Sequence, residues 1–141
     1  MGITFSHRPN GKAPTVQPFI LKSGVTNMAG GKLANIESGT VDLAASSDSA
    51  LAGLVLAPVN PDHDLAAMGS GTSVEVITDP DAVYRVTDAN AREAGATLDI
   101  NATGDGVTTS SNADVVVTAK SSASEPTHFK IANTQHFLAK V

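Results

Sequence analysis

The chain has 141 residues, with nine Lys or Arg against fourteen Asp or Glu and a net charge of −5. That length fits one domain with at most an appendage, and the absence of Cys excludes disulfide scaffolds, thiolate metal sites and cysteine nucleophiles. The longest apolar run, Leu51 to Val59, is broken by Gly53 and Pro58 and is too short to cross a bilayer. Met1 to Asn10 has no apolar stretch of the secretory kind, so synthesis and retention in a cytoplasm are expected.

Small residues dominate: 21 Ala, 14 Thr, 13 Ser and 12 Gly. With no Trp, one Tyr and four Phe, the expected core is thin, and thin cores lean on oligomerisation. Charge is uneven. Residues 1–36 carry four bases and no acid, whereas 37–141 carry fourteen acids against five bases. A basic lead on an acidic body suggests two parts that meet different surfaces, or a lead that only aids solubility.

Residues 1–20 read as an extended arm, because Pro9, Pro14 and Pro18 prevent helix and remove ladder donors. Phe5, Phe19, Ile20 and Leu21 are large apolar groups that a solvated tail would not use. The body, 21–141, reads as short strands between turns. Leu33 to Ile36 and Thr40 to Leu43 flank Ser38-Gly39 as a hairpin. Leu51 to Ala57 has the continuous apolar character of a strand buried on both faces. Asn60 to Gly71 reads as a loop. Ser73 to Thr78 and Val83 to Val86 alternate across a turn at Asp79-Pro80-Asp81.

Asp88 to Gly95 is the one expected helix, with Asp88 at its N-cap, Ala89, Ala91 and Ala94 inside and Gly95 at its end. Thr97 to Ile100 alternates, Thr103 to Asn112 reads as a loop, and Asp114 to Thr118 is strongly β-prone. His128 to Ile131 and His136 to Ala139 close the chain as strands. Eight to ten short strands and one short helix predict an all-β fold, a small barrel or a sandwich.

Candidate chemistry is sparse. Pro61-Asp62-His63-Asp64 packs ligand-type residues closely but lacks a matching second cluster. Thr103-Gly104-Asp105-Gly106 lacks the alternating acids and closing Glu of a calcium loop. His128 and His136 share a face only if one continuous strand joins them. There is no Gly-x-Ser-x-Gly elbow, phosphate loop or dinucleotide fingerprint. The acidic body and scarce aromatics count against nucleic-acid binding. The expectation is a non-enzymatic binding or structural protein without cofactor or metal.

Certain segments carry a resemblance. Asn27-Met28-Ala29-Gly30-Gly31-Lys32-Leu33 is followed by Gly39 to Leu43, Ala50 to Leu56, Gly71 to Ile77, Val83 to Val86, Gly95 to Ile100 and Thr134 to Ala139. Over roughly residues 24–140 this order resembles the capsid decoration, or cement, proteins of tailed bacteriophages. The likeness is one of pattern rather than invariant residues.

The resemblance implies a β-barrel or β-tulip-like body on the outer surface of a virion. Such proteins bind the major capsid protein after shell expansion, often as trimers at three-fold or quasi-three-fold positions. They are not enzymes and engage neither nucleic acid nor membrane. On this reading the arm lies across neighbouring capsid subunits. Phe5, Arg8, Lys12, Phe19 and Lys22 are its expected capsid contacts: the rings as anchors, the bases opposite carboxylates. Phe19 is equally placed to pack in the core as part of a first strand. The alternative function is a carbohydrate- or receptor-binding β-module of a phage surface or tail component.

Overall fold

A computed structural model describes residues 2–25, 28–46, 48–56, 73–109 and 111–139. Eleven strands lie within them: β1 (Thr4–His7), β2 (Val16–Ile20), β3 (Leu33–Glu37), β4 (Thr40–Leu43), β5 (Leu51–Val55), β6 (Ser73–Ile77), β7 (Val83–Val86), β8 (Thr97–Ile100), β9 (Val107–Thr109), β10 (Val115–Val117) and β11 (Thr127–Ile131). They form two antiparallel sheets. The six-stranded sheet runs β1-β7-β11-β10-β8-β9 and the five-stranded sheet runs β2-β6-β5-β3-β4.

The arrangement is sandwich-like. One core lies between the sheets, with Leu33, Leu51, Leu54 and Ile77 from the five-stranded sheet meeting Tyr84, Leu98, Val115, Val117, Phe129 and Ile131 from the other. A second core, including Leu21, Met28, Val41, Ala52, Val55, Val74 and Val76, lies on the far side of the five-stranded sheet. That sheet is therefore buried on both faces along β5, as its unbroken apolar run predicts. Of the two expected architectures, small barrel or sandwich, the sandwich is formed and no barrel closes among the described residues. The five-stranded sheet curls until its edges touch through a single bridge, Leu21 to Val41, and stops there.

Gly53 makes the double burial possible. Strict alternation would send Leu51, Gly53 and Val55 to one side. Instead the pairing with β3 slips beside Gly53, since Ala34 opposes Gly53 while Asn35 opposes Leu51. The extra residue resets the phase, so Leu51 and Leu54 enter the first core while Ala52 and Val55 enter the second. Gly53 has φ 139°, and a Cβ there would overlap the Ile77 carbonyl oxygen and press on the Tyr84 hydroxyl.

The hairpin expected at Ser38-Gly39 forms. Both residues have positive φ, 50° and 81°, and Glu37 pairs with Thr40, the two-residue turn whose twist suits its strands. Three other expectations are corrected. Asp88 to Gly95 is not helical. Two turns are marginal alone, and here Asp88 accepts from the Asn90 amide in a local turn, while Arg92 and Ser121 exchange backbone bonds, each 3.0 Å. Thr103 to Asn112 is not all loop, since β9 pairs with β8. His136 to Ala139 is a turn attached by one bridge, His136 to Leu51. The loop expected over Asn60 to Gly71 lies outside the described residues.

The lead is extended, as its prolines require, but it is paired. β1 edges one sheet and β2 edges the other. The Thr78 amide donates to the Thr15 carbonyl, which places Pro18 at a position whose amide would face outward from β6. Its missing N–H therefore costs no ladder bond. Gly53→Ala is expected to lower unfolding free energy by about 3 kcal/mol or more, combining backbone strain with a backbone clash. Urea denaturation would measure it.

Candidate functional site

The five expected contact residues fall into different settings. Phe5 is half-buried against the inter-sheet core, its ring edge-on to Tyr84 at 6.5 Å. Phe19 packs on the second core, edge-on to Phe137 at 6.2 Å. Arg8 is clamped by Asp81 at 3.0 Å and Asp79 at 3.4 Å. Lys22 pairs with Glu37 at 2.9 Å and Asp42 at 3.7 Å, and the hydrogen bond to Glu37 raises its pKa. Lys12 stands exposed on the turn after β1. Two aromatic rings and two cations of the set are thus occupied within the fold.

The outer face of the six-stranded sheet collects different residues. Strand register places Thr4 beside Arg85 and Arg85 beside His128. One step along, Lys130 sits beside Val116, which sits beside Thr97. Inward neighbours Tyr84, Phe129 and Ile131 fill the core, so alternation turns Arg85, His128 and Lys130 outward. His7, Pro9, Asp81, Val83, Thr118, Ala119, His128 and Lys130 line an open cleft of about 440 Å³ on this face.

Arg85 and Lys130 differ from the ion-paired cations Arg8, Lys22, Arg92 and Lys120. Arg85 Nε donates to Thr4 Oγ1 at 3.1 Å and Lys130 Nζ to Asn133 Oδ1 at 3.4 Å, both neutral acceptors. By contrast Arg92 pairs with Asp88 at 2.7 Å and Lys120 with Glu93 at 3.3 Å. The strand His128-Phe129-Lys130-Ile131 was legible as alternating, so its outward pair was readable. What the sequence did not show is that β7 lies beside it and adds Arg85.

The buried acids serve as clasps. Asp99 accepts from the Ser111 and Asn112 amides at 3.0 and 2.9 Å and from Ser46 Oγ at 2.9 Å. Burial alone would raise its pKa, but these donors hold the carboxyl well below its ordinary range. Asp88 behaves likewise: burial opposes its charge, while Arg92, the Asn90 amide and Thr127 favour it, with a net lowering. Asp114 accepts from the Ile100 amide at 3.0 Å.

The histidines part company. A turn at 132–135 ends β11, so His128 lies on the outer face while His136 is fully buried. His136 Nδ1 accepts from the Leu138 amide at 3.1 Å, and Nε2 has no hydrogen-bond partner. Burial lowers its pKa. The nearby Ala52 and Thr78 backbones offset part of that cost without reaching hydrogen-bond geometry at Nε2. Among the described residues no three His, Asp or Glu side chains group as a metal site would require, and His63 lies outside them.

No protein-family model matches the sequence, and no curated protein matches it. Among solved structures the chain is similar to the head fiber gp8.5 N base of bacteriophage phi29. The identity is 16% and the TM-score 0.46, over 86% of this chain and 98% of that one.

Two pH effects follow. A buried His with a lowered folded-state pKa stabilises fully above its unfolded value and loses that contribution as pH falls below about 6.5, by at most about 1.4 kcal/mol per pH unit. Urea midpoints at neutral and mildly acidic pH should therefore diverge in the wild type and converge in His136→Gln. Asp99 has the opposite chemistry and the same direction: its contribution holds above about pH 4 and fades on acidification. Asp99→Asn should cost about 2 kcal/mol at neutral pH and flatten the acid limb of the stability profile.

Proposed function

We propose that this chain is a capsid decoration protein. It binds the outside of an expanded phage head and stabilises the shell by bridging neighbouring capsid subunits. It acts as a homotrimer and carries out no catalysis. The resemblance of its segment order to cement proteins motivates the reading. The observation that carries it is the open relief of the described surface. Three clefts there, of about 280, 360 and 440 Å³, open to solvent along strand edges and sheet faces. Such relief suits contact spread over a partner surface, where several modest contacts joined through an oligomer give avidity.

The test is co-sedimentation of the full chain with empty expanded heads of its phage, beside unexpanded heads. Saturable binding to expanded heads alone, with the free protein trimeric by analytical ultracentrifugation, is expected. Absence of binding to either shell would overturn the reading, and glycan-array binding would favour the alternative carbohydrate-binding module.

A further inference from the structure

We infer that the outer face of the six-stranded sheet, centred on Arg85, His128 and Lys130, is the docking surface for a carboxylate-rich protein partner. The inference takes the capsid reading only for the partner's identity; the chemistry stands on the face itself.

Three observations converge. The first is position. Arg85 and His128 are register partners on adjacent strands, and Lys130 is two residues along from His128 on the same side. Neighbouring strands lie about 4.8 Å apart and same-side residues about 7 Å apart. The three groups therefore form a compact triangle of two cations and an imidazole. His7, on β1, adds a second imidazole at the cleft.

The second is pairing. Among the described residues neither Arg85 nor Lys130 has a carboxylate within ion-pair distance. Elsewhere this acidic chain matches Arg8, Lys22, Arg92 and Lys120 with acids of its own. Asp81 also lines the cleft, but Arg8 already holds it at 3.0 Å. Two cations left to neutral partners on one face are free to meet an external acid.

The third is the surroundings. Thr4, Thr97 and Thr118 lie exposed around the triangle and supply hydroxyl donors. The face is a short patch on a chain of net charge −5. A local carboxylate cluster needs only local complementarity. A nucleic acid presents a long run of phosphate that the rest of the chain would repel.

The test compares wild type with Arg85→Glu/Lys130→Glu, the milder Arg85→Gln/Lys130→Gln, and Lys120→Glu as a surface control, all checked for an unchanged melting profile. The probes are polyglutamate peptide, duplex DNA and expanded heads. Wild type should bind polyglutamate with salt-sensitive affinity and bind it better than DNA. The charge reversal should weaken both polyglutamate and head binding by about tenfold or more, the neutral pair less, and the control little. Equal binding by wild type and the reversed variant overturns the inference, as does no wild-type binding to polyglutamate or tighter binding to DNA. If polyglutamate binding depends on Arg85 and Lys130 while heads are not bound at all, the docking face stands and the capsid reading falls.

Discussion

The structure turns on one close approach: the backbone of Gly53 against the Ile77 carbonyl. A thin set of apolar residues must fill two cores, and the five-stranded sheet is the wall between them. β5 can serve both only by changing phase midway, and the phase change needs an extra residue in a conformation and at a distance that a side chain forbids. The arrangement leaves polar atoms stranded nearby. The Tyr84 hydroxyl, beside Gly53, is buried without a partner, and burial raises its pKa. His136, bridged to Leu51, has an orphan Nε2, and Thr78, next after Ile77, an orphan hydroxyl. Buried polar groups normally find partners. Three beside one bulge mark where packing has been favoured over polar satisfaction.

Acidic side chains supply the complementary half of the design. The chain has no disulfide and few large residues, so its irregular segments need other ties. Asp79 accepts from the Thr15 amide and joins Asp81 in holding Arg8, fixing the lead to the turn after β6. Asp88 ties the 88–92 turn to Arg92 and to Thr127 on β11, and Asp99 gathers Ser46, Ser111 and Asn112. Each clasp links residues far apart in sequence, and the donors converging on Asp88 and Asp99 favour the charged carboxylate there. Four of the body's acids, Asp79, Asp81, Asp88 and Asp99, are thus committed to holding the fold's irregular segments.

Local pattern was legible where one force dominated. The β3–β4 hairpin followed from two alternating segments around Ser38-Gly39, and the double burial of β5 from its unbroken apolar run. The missing helix at Asp88 shows the limit. Its alanines and cap residue were real signals, but the Asp88 carboxylate found Arg92 and also Thr127, 39 residues on, and the backbone at Arg92 found Ser121, beyond anything local periodicity reports. β9 was hidden for the same reason: Val107 to Thr109 reads as loop until Leu98 to Ile100 lies beside it. In the lead, β1 and β2 stand as paired edge strands rather than a free arm. Its pairing with β7 and β6 depends on partners no local rule names.

That pairing also changes the setting of the lead's charged and aromatic residues. The lead looked like the charged, anchored part because its bases precede every acid in the sequence. In three dimensions Arg8 and Lys22 are neutralised by neighbouring carboxylates, and Phe5 and Phe19 cover core. An ion pair already made at home must be broken before a partner can use it, and a ring already packed offers little new area to bury. Arg85 and Lys130 carry no such cost. For a partner, where cations lie along the chain matters less than whether the fold leaves them without an acid, as it does Arg85 and Lys130. β-sheet register, by bringing β7 and β11 together, assembles those cations on one face from segments more than forty residues apart.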